Sequence, residues 1–171
     1  MSPTHGLKLY QPQQVRESAK MLDEMGFDRS SNMYPYALRA VGSLSSEMWE
    51  CKWENFRSLG FSEDDILLVF RKMPSVFLVS DKKIKETMQS LRSTGKFDIS
   101  MIISSPALLL YSVERRIKPR VQVLEVLESK NLIRKTPSVS TYCKMSNKAF
   151  LNKYVLPYLD DLGKYCIPFG V

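Results

Sequence analysis

The sequence predicts an all-α fold: a right-handed or left-handed α-solenoid of stacked helix-turn-helix repeats of about 32–34 residues. Three observations lead there. First, residues 59–127 contain one pattern twice. Leu59 is answered by Leu91, Pro74 by Pro106 and Ser80 by Ser112, each 32 residues on, and a fixed period of this size marks stacked helical repeats. Second, one punctuation recurs at Gly26-Phe27, at Gly60-Phe61 and, with one inserted residue, at Gly95-Lys96-Phe97. A glycine just past a helix end turns left-handed without steric cost, and the apolar residue after it folds back onto the last turn. Third, no stretch shows the period-two alternation of a strand.

In chain order, residues 1–13 are polar, carry Pro3, Gly6 and Pro12, and read as a loose lead-in. A helix follows, with Val15, Ala19, Leu22 and Met25 at spacings of four and three. It stops at Gly26-Phe27, and Asp28 is placed to cap the next helix. Ser62 caps the helix after Gly60, with Asp65 three residues on as a weaker capping box, and Asp98 holds the capping place after Gly95. Ile66, Leu67, Val69, Phe70 and Met73 give the Ser62 helix a broad apolar face. Pro74 ends it, because the residue before a proline disfavours helix. Ser75 to Val79 form a short apolar link, and Ser80 caps a second helix carrying Ile84, Met88 and Leu91. The next unit copies this plan. Ile99, Met101, Ile102 and Ile103 precede Pro106, Ala107 to Tyr111 form the link, and Ser112 caps a helix bearing Ile117, Val121 and Leu124. Pro119 falls inside that helix and should bend it or loosen its first turns.

The flanks carry degenerate copies. Ser46 and Ser146 stand 34 residues outside Ser80 and Ser112. Each opens a helix, one with Trp49, Trp53 and Phe56 and the other with Phe150, Tyr154 and Val155. Ala40 and Ser140 occupy the places where the proline is expected. Atypical outer repeats suit the ends of a stack, where one face meets water. The resulting organisation is a lead-in at 1–13, a repeat domain of about four units at 14–163, and a tail at 164–171.

Composition narrows the function classes. Lys and Arg number 25 against 18 Asp and Glu, a net charge of +7. That excess suits an anionic partner, or simply keeps the protein soluble. Cys51, Cys143 and Cys166 are odd in number and form no CxxC pair, which points to a reducing compartment without disulfides or a zinc site. No apolar run approaches the length of a membrane span, so no membrane partner is expected. The N-terminal stretch MSPTHGLKLYQPQQ lacks both a secretory apolar core and the Arg- and Ser-rich look of a transit peptide. Either no targeting segment exists, or the chain is the C-terminal part of a longer product. The single histidine, His5, lies in the loose lead-in, which argues against a His-based triad, and neither phosphate-cradling glycine motif is present. Glu63-Asp64-Asp65 complements a helix dipole, and Asp160-Asp161 reads as solvation of a helix end. The aromatic side chains and the nine Met read as core packing. These residues suggest neither an enzyme, nor a cofactor, a metal or a small-molecule substrate.

Several motifs in order carry a resemblance: Leu59-Gly60-Phe61-Ser62, Pro74-Ser75-Val76-Phe77-Leu78, Pro106 through Ser112, Glu114 through Arg120, and Asn147 through Tyr154. Together they resemble the mitochondrial transcription termination factor family, in its plant-type branch, over about Met21 to Leu162. The count of about four units implies a short or C-terminal member. The resemblance implies a helical solenoid that cradles nucleic acid in a basic groove, in a mitochondrion or chloroplast. Double-stranded DNA is the implied partner and transcription termination the implied role. RNA binding or splicing is the alternative, and a protein-binding scaffold is a second.

Basic residues fall in repeat register. Lys82, Lys83 and Lys85 flank Ile84 as Arg115, Arg116 and Lys118 flank Ile117, each pair 33 residues apart. Equivalent positions of stacked repeats line up in space, so these pairs would form a ladder of phosphate contacts. Arg120 extends the ladder, and Lys148 stands where Lys82 does in its unit. The alternative is that they solvate outer helix faces. Spacing leaves open which of them faces a groove; the resemblance favours the ladder.

Overall fold

The computed structural model describes residues 12–95 and 97–170. The lead-in through residue 11, with His5, lies outside the described residues, as does Lys96 of the third stop. The chain forms two compact units, Met1–Leu78 and Val79–Val171. Both are helical, and no strand occurs among the described residues, as expected. No helix among them is long and apolar enough to cross a membrane.

The first unit contains α1 (Pro12–Glu24), α2 (Tyr34–Ser43), α3 (Ser46–Ser58) and α4 (Glu63–Lys72), followed by a 3-10 turn at Pro74–Leu78. The stop after α1 is a complete Schellman motif. Gly26 is left-handed (φ 65°), Gly26 N–H donates to the Asp23 carbonyl (2.9 Å), and Phe27 N–H donates to the Leu22 carbonyl (2.9 Å). The stop after α3 repeats it, with Gly60 at φ 97° and Phe61 N–H on the Phe56 carbonyl (3.2 Å). The Phe61 ring then packs edge-on against Phe56, 5.4 Å between centroids.

In this unit the capping residues differ from expectation at two places. Asp28 does not cap α2; its carboxylate accepts from the Ser30 N–H (2.8 Å) and hydroxyl, closing its own turn. Helix α2 starts six residues later, with Pro35 in its first turn and no side-chain cap. At α3 the cap is Ser45, whose extended backbone leaves Oγ to accept from Met48 N–H (3.2 Å); Ser46 is already helical. Ser62 and Asp65 form a reciprocal capping box, a fuller one than the sequence suggested.

Pro74 ends α4 and the 3-10 turn delivers Phe77 inward. Its ring lies 4.9 Å from Phe70, 5.0 Å from Trp49 and 5.2 Å from Phe56. Leu22, Ala37, Ala40, Ile66 and Val69, all fully buried, complete this core. Aromatic pairs of this geometry add about 0.5–1.5 kcal/mol each beyond burial.

The second unit contains α5 (Asp81–Arg92), α6 (Ser100–Ser104), a 3-10 turn at Pro106–Leu110, α7 (Lys118–Ser129), α8 (Val139–Lys144), α9 (Asn147–Phe150) and α10 (Leu159–Leu162). Ser80, Ser112, Ser138 and Ser146 cap α5, the turn into α7, α8 and α9 through their hydroxyls. Asp98, expected to cap α6, instead accepts from Ser100 N–H (2.7 Å) one residue before the cap position, which Ile99 holds without a side-chain bond.

Pro119 has a specific effect. It has no N–H to donate and its ring excludes the carbonyl four residues back. The chain answers with a π turn, Val113–Ile117, in which Ile117 N–H reaches the Ser112 carbonyl five residues away (3.1 Å). This inserts one residue, which is why the period is 32 up to Ser112 but 33 at Ile117. A second π turn, Leu151–Val155, stands likewise two residues before Pro157.

A fourth stop follows α7. Asn131 is left-handed (φ 56°) and Leu132 N–H donates to the Leu127 carbonyl (2.9 Å). Asparagine is the usual substitute for glycine at this position. Beyond α10 the tail is ordered as a 3-10 helix, Gly163–Phe169. Cys166 is buried there, and the Phe169 ring stacks on Phe150 at 5.5 Å.

Two outcomes are expected. Asn131→Ala removes the short polar side chain that lets asparagine tolerate the left-handed region and should cost about 1 kcal/mol in urea unfolding, whereas Asn131→Gly should cost nothing. The hydroxyl and N–H of Ser62 hold the Asp65 carboxyl below its ordinary range. Its contribution is therefore present above pH about 4 and is lost as pH falls through the lowered value. Asp65→Asn should flatten the acid limb of a pH–stability curve.

Candidate nucleic-acid interface

The charge is not evenly spread. Residues 79–171 hold 16 Lys and Arg against 8 Asp and Glu, a balance of +8, whereas residues 1–78 hold 9 against 10, a balance of −1. All eight residues of the expected ladder lie in the basic unit.

They do not share one environment. A groove of about 1040 Å³ runs between α5 and α7. Lys83 and Lys118 line it, but so do Glu86, Glu114 and Glu125, so its charged lining is not basic. Lys83 donates from Nζ to the Leu110 carbonyl (2.9 Å), at the end of the 3-10 turn of the next repeat. Lys118 pairs with Glu114 at 2.5 Å. The remaining members of each triplet lie outside the groove lining. Lys82 is exposed and loosely paired with Glu86 (3.9 Å). Lys85, Arg115 and Lys148 are exposed, with no side-chain partner among the described residues.

Arg120 is a correction. It is 1 % exposed and cannot reach a phosphate. One guanidinium nitrogen donates to the carbonyls of Tyr142 (2.6 Å), Cys143 (3.2 Å) and Met145 (2.7 Å), and the other to Asn147 Oδ1 (2.7 Å). The guanidinium also lies over the Phe150 ring at 4.8 Å. Arg120 therefore satisfies the orphan carbonyls at the end of α8 and ties α7 to the start of α9. Burial first, and the nearby charge of Arg116 second, pull its pKa down. Burial also pushes the neighbouring Cys143 thiol up to about 12. That leaves Cys143 an inert packing group at neutral pH.

Arg116 stands between these extremes. It is half-buried, its guanidinium lies 4.6 Å over the Tyr111 ring, and it donates to the same Asn147 oxygen at 3.4 Å. Tyr111 is thus not a core ring, as its apolar surroundings suggested. Neither Tyr111 nor Asn147 was legible as part of a site. The only sequence cue is position: Tyr111 directly precedes one capping serine and Asn147 directly follows the next. Among the described residues no group of His, Cys, Asp and Glu is arranged to hold a metal ion.

Among known protein families, the model described as mTERF matches residues 7–151. No curated protein matches the chain. No solved structure matches it either.

Arg120→Met should destabilise the protein by about 2–4 kcal/mol, since it strands several buried acceptors at once. Arg115→Ala should change stability by less than about 0.5 kcal/mol. Thermal unfolding followed by circular dichroism measures both.

Proposed function

The chain belongs to the mTERF family, and on that premise we propose that residues 79–171 bind duplex DNA through phosphate contacts and act in organellar transcription, at its termination. Family membership brings the ligand class, nucleic acid, and the setting, organellar gene expression. The observation that carries the reading for this chain is the sorting of charge: +8 in the second unit against −1 in the first. Lys85, Arg115 and Lys148, exposed and without a carboxylate partner among the described residues, supply the candidate contacts, together with Arg116 and the loosely paired Lys82. The α5–α7 groove is not the proposed path, because its three glutamates would repel a phosphate backbone. Contacts of this kind confer affinity and salt dependence but little choice of sequence.

The test is a titration of the full chain with a labelled duplex across salt. About four or five phosphate contacts give a log–log slope near −4, a loss of roughly two orders of magnitude between about 50 and about 200 mM salt. Replacing Lys85, Arg115 and Lys148 together by Gln should lower the slope by about 3. A salt-independent affinity overturns the reading. Preferential competition by RNA of equal length reassigns the ligand to RNA.

A further inference from the structure

We infer that Tyr111 and Asn147 are positioning residues that hold the Arg116 guanidinium ready for a phosphate, making this cluster the chain's strongest phosphate contact. The inference rests on the nucleic-acid reading above and adds the machinery behind one contact.

The geometry is specific. Arg116 is flanked by two restraints from successive repeats. The Tyr111 ring, at the end of one Pro-led link, lies under the guanidinium plane at 4.6 Å. Asn147, the first residue of α9, accepts from one edge of it at 3.4 Å. A flexible arginine otherwise loses considerable rotamer freedom when it binds; here much of it is already lost. The amide oxygen of Asn147 is itself fixed, because the buried Arg120 donates to it at 2.7 Å. Arg120 is in turn locked by the carbonyls of α8. The chain of restraint runs from the buried end of α8, through Arg120 and Asn147, to Arg116 at the surface.

The electrostatics point to an anion. Two guanidinium groups converge on one neutral oxygen, and neither meets a carboxylate among the described residues. Glu114, the nearest acidic residue in sequence, is engaged by Lys118. Arg116 keeps further N–H donors free of protein partners among the described residues, in a planar fork suited to phosphate oxygens. Its neighbours Arg115 and Lys148 are exposed and add to the same field. Lysine at position 116 would keep the charge but neither the stacking plane nor the fork.

The test is a double-mutant cycle read in duplex binding by the full chain, with circular dichroism confirming the fold of each variant. Arg116→Gln should lower the slope of log affinity against log salt by about 1. Arg116→Lys should retain that slope but weaken binding about threefold or more, and Tyr111→Leu should weaken binding by a similar factor. In an Arg116→Gln background, Tyr111→Leu should have no further effect. Asn147→Ser, which shortens the acceptor, should behave as Tyr111→Leu does. Two outcomes overturn the inference while leaving the functional reading intact. One is salt-dependent binding that Tyr111→Leu and Arg116→Lys leave at wild-type strength. The other is a Tyr111→Leu loss that persists without Arg116. Salt-independent binding by the wild type overturns the functional reading instead.

Discussion

The whole chain depends on solving one problem repeatedly: ending a helix and reversing direction while its last carbonyls still find donors. A left-handed residue turns the chain, the next N–H reaches back to the last turn, and an apolar side chain closes over it. At Gly26 and Gly60 that apolar residue is a phenylalanine, and it does more than seal a turn. Phe27 packs against Phe70 at 5.8 Å and Phe61 against Phe56 at 5.4 Å. Each reversal is thereby fastened to the aromatic core that Trp49, Phe70 and Phe77 share. Helices of 10–13 residues, as α1 to α4 are, are marginal alone in water. Their stability comes from this packing, so the turns and the core cannot be separated energetically.

Proline sets the second constraint, and it acts in two ways. Pro74 and Pro106 stand where a helix ends, and each opens a 3-10 turn that carries apolar residues inward. That use was legible, because the residue before proline is barred from helix by local sterics alone. Pro119 and Pro157 stand within helical runs and produce π turns instead. The sequence recorded the first only as a period that slips from 32 to 33. A strained backbone at Pro119 was foreseeable; the form it takes depends on how the whole helix must then pack. The same limit applies to Asp28 and Ser45. Residue type says that a side chain can cap, but the direction of the chain beyond it decides whether it does.

The charged residues show the boundary between local and non-local information most clearly. Arg115, Arg116 and Arg120 lie within six residues and look alike in sequence, yet they meet three different environments. Arg115 is exposed, Arg116 stacks on Tyr111, and Arg120 is buried among carbonyls 22 to 25 residues away. Lys83 similarly reaches a carbonyl 27 residues on. No periodicity within a helix reports a partner supplied by the following repeat. What the period did locate was a run of chain rich in basic residues. Which of those side chains are exposed and which are buried required the fold.

The burial of Arg120 then bears on the surface above it. A buried arginine without a carboxylate is tolerable only if dipoles replace its water. Four neutral oxygens and the face of Phe150 do so here. Dipoles stabilise the charge without cancelling it, so its field persists toward Arg116. A neutral hydrogen-bonding residue would have joined α7 to α9 without that field, and a paired glutamate would have erased it. On the proposed binding mode, a phosphate at Arg116 gains from both guanidinium groups while touching one. On that mode the buried side chain, which first looks like a failed ladder rung, would act through its charge as well as through its hold on Asn147.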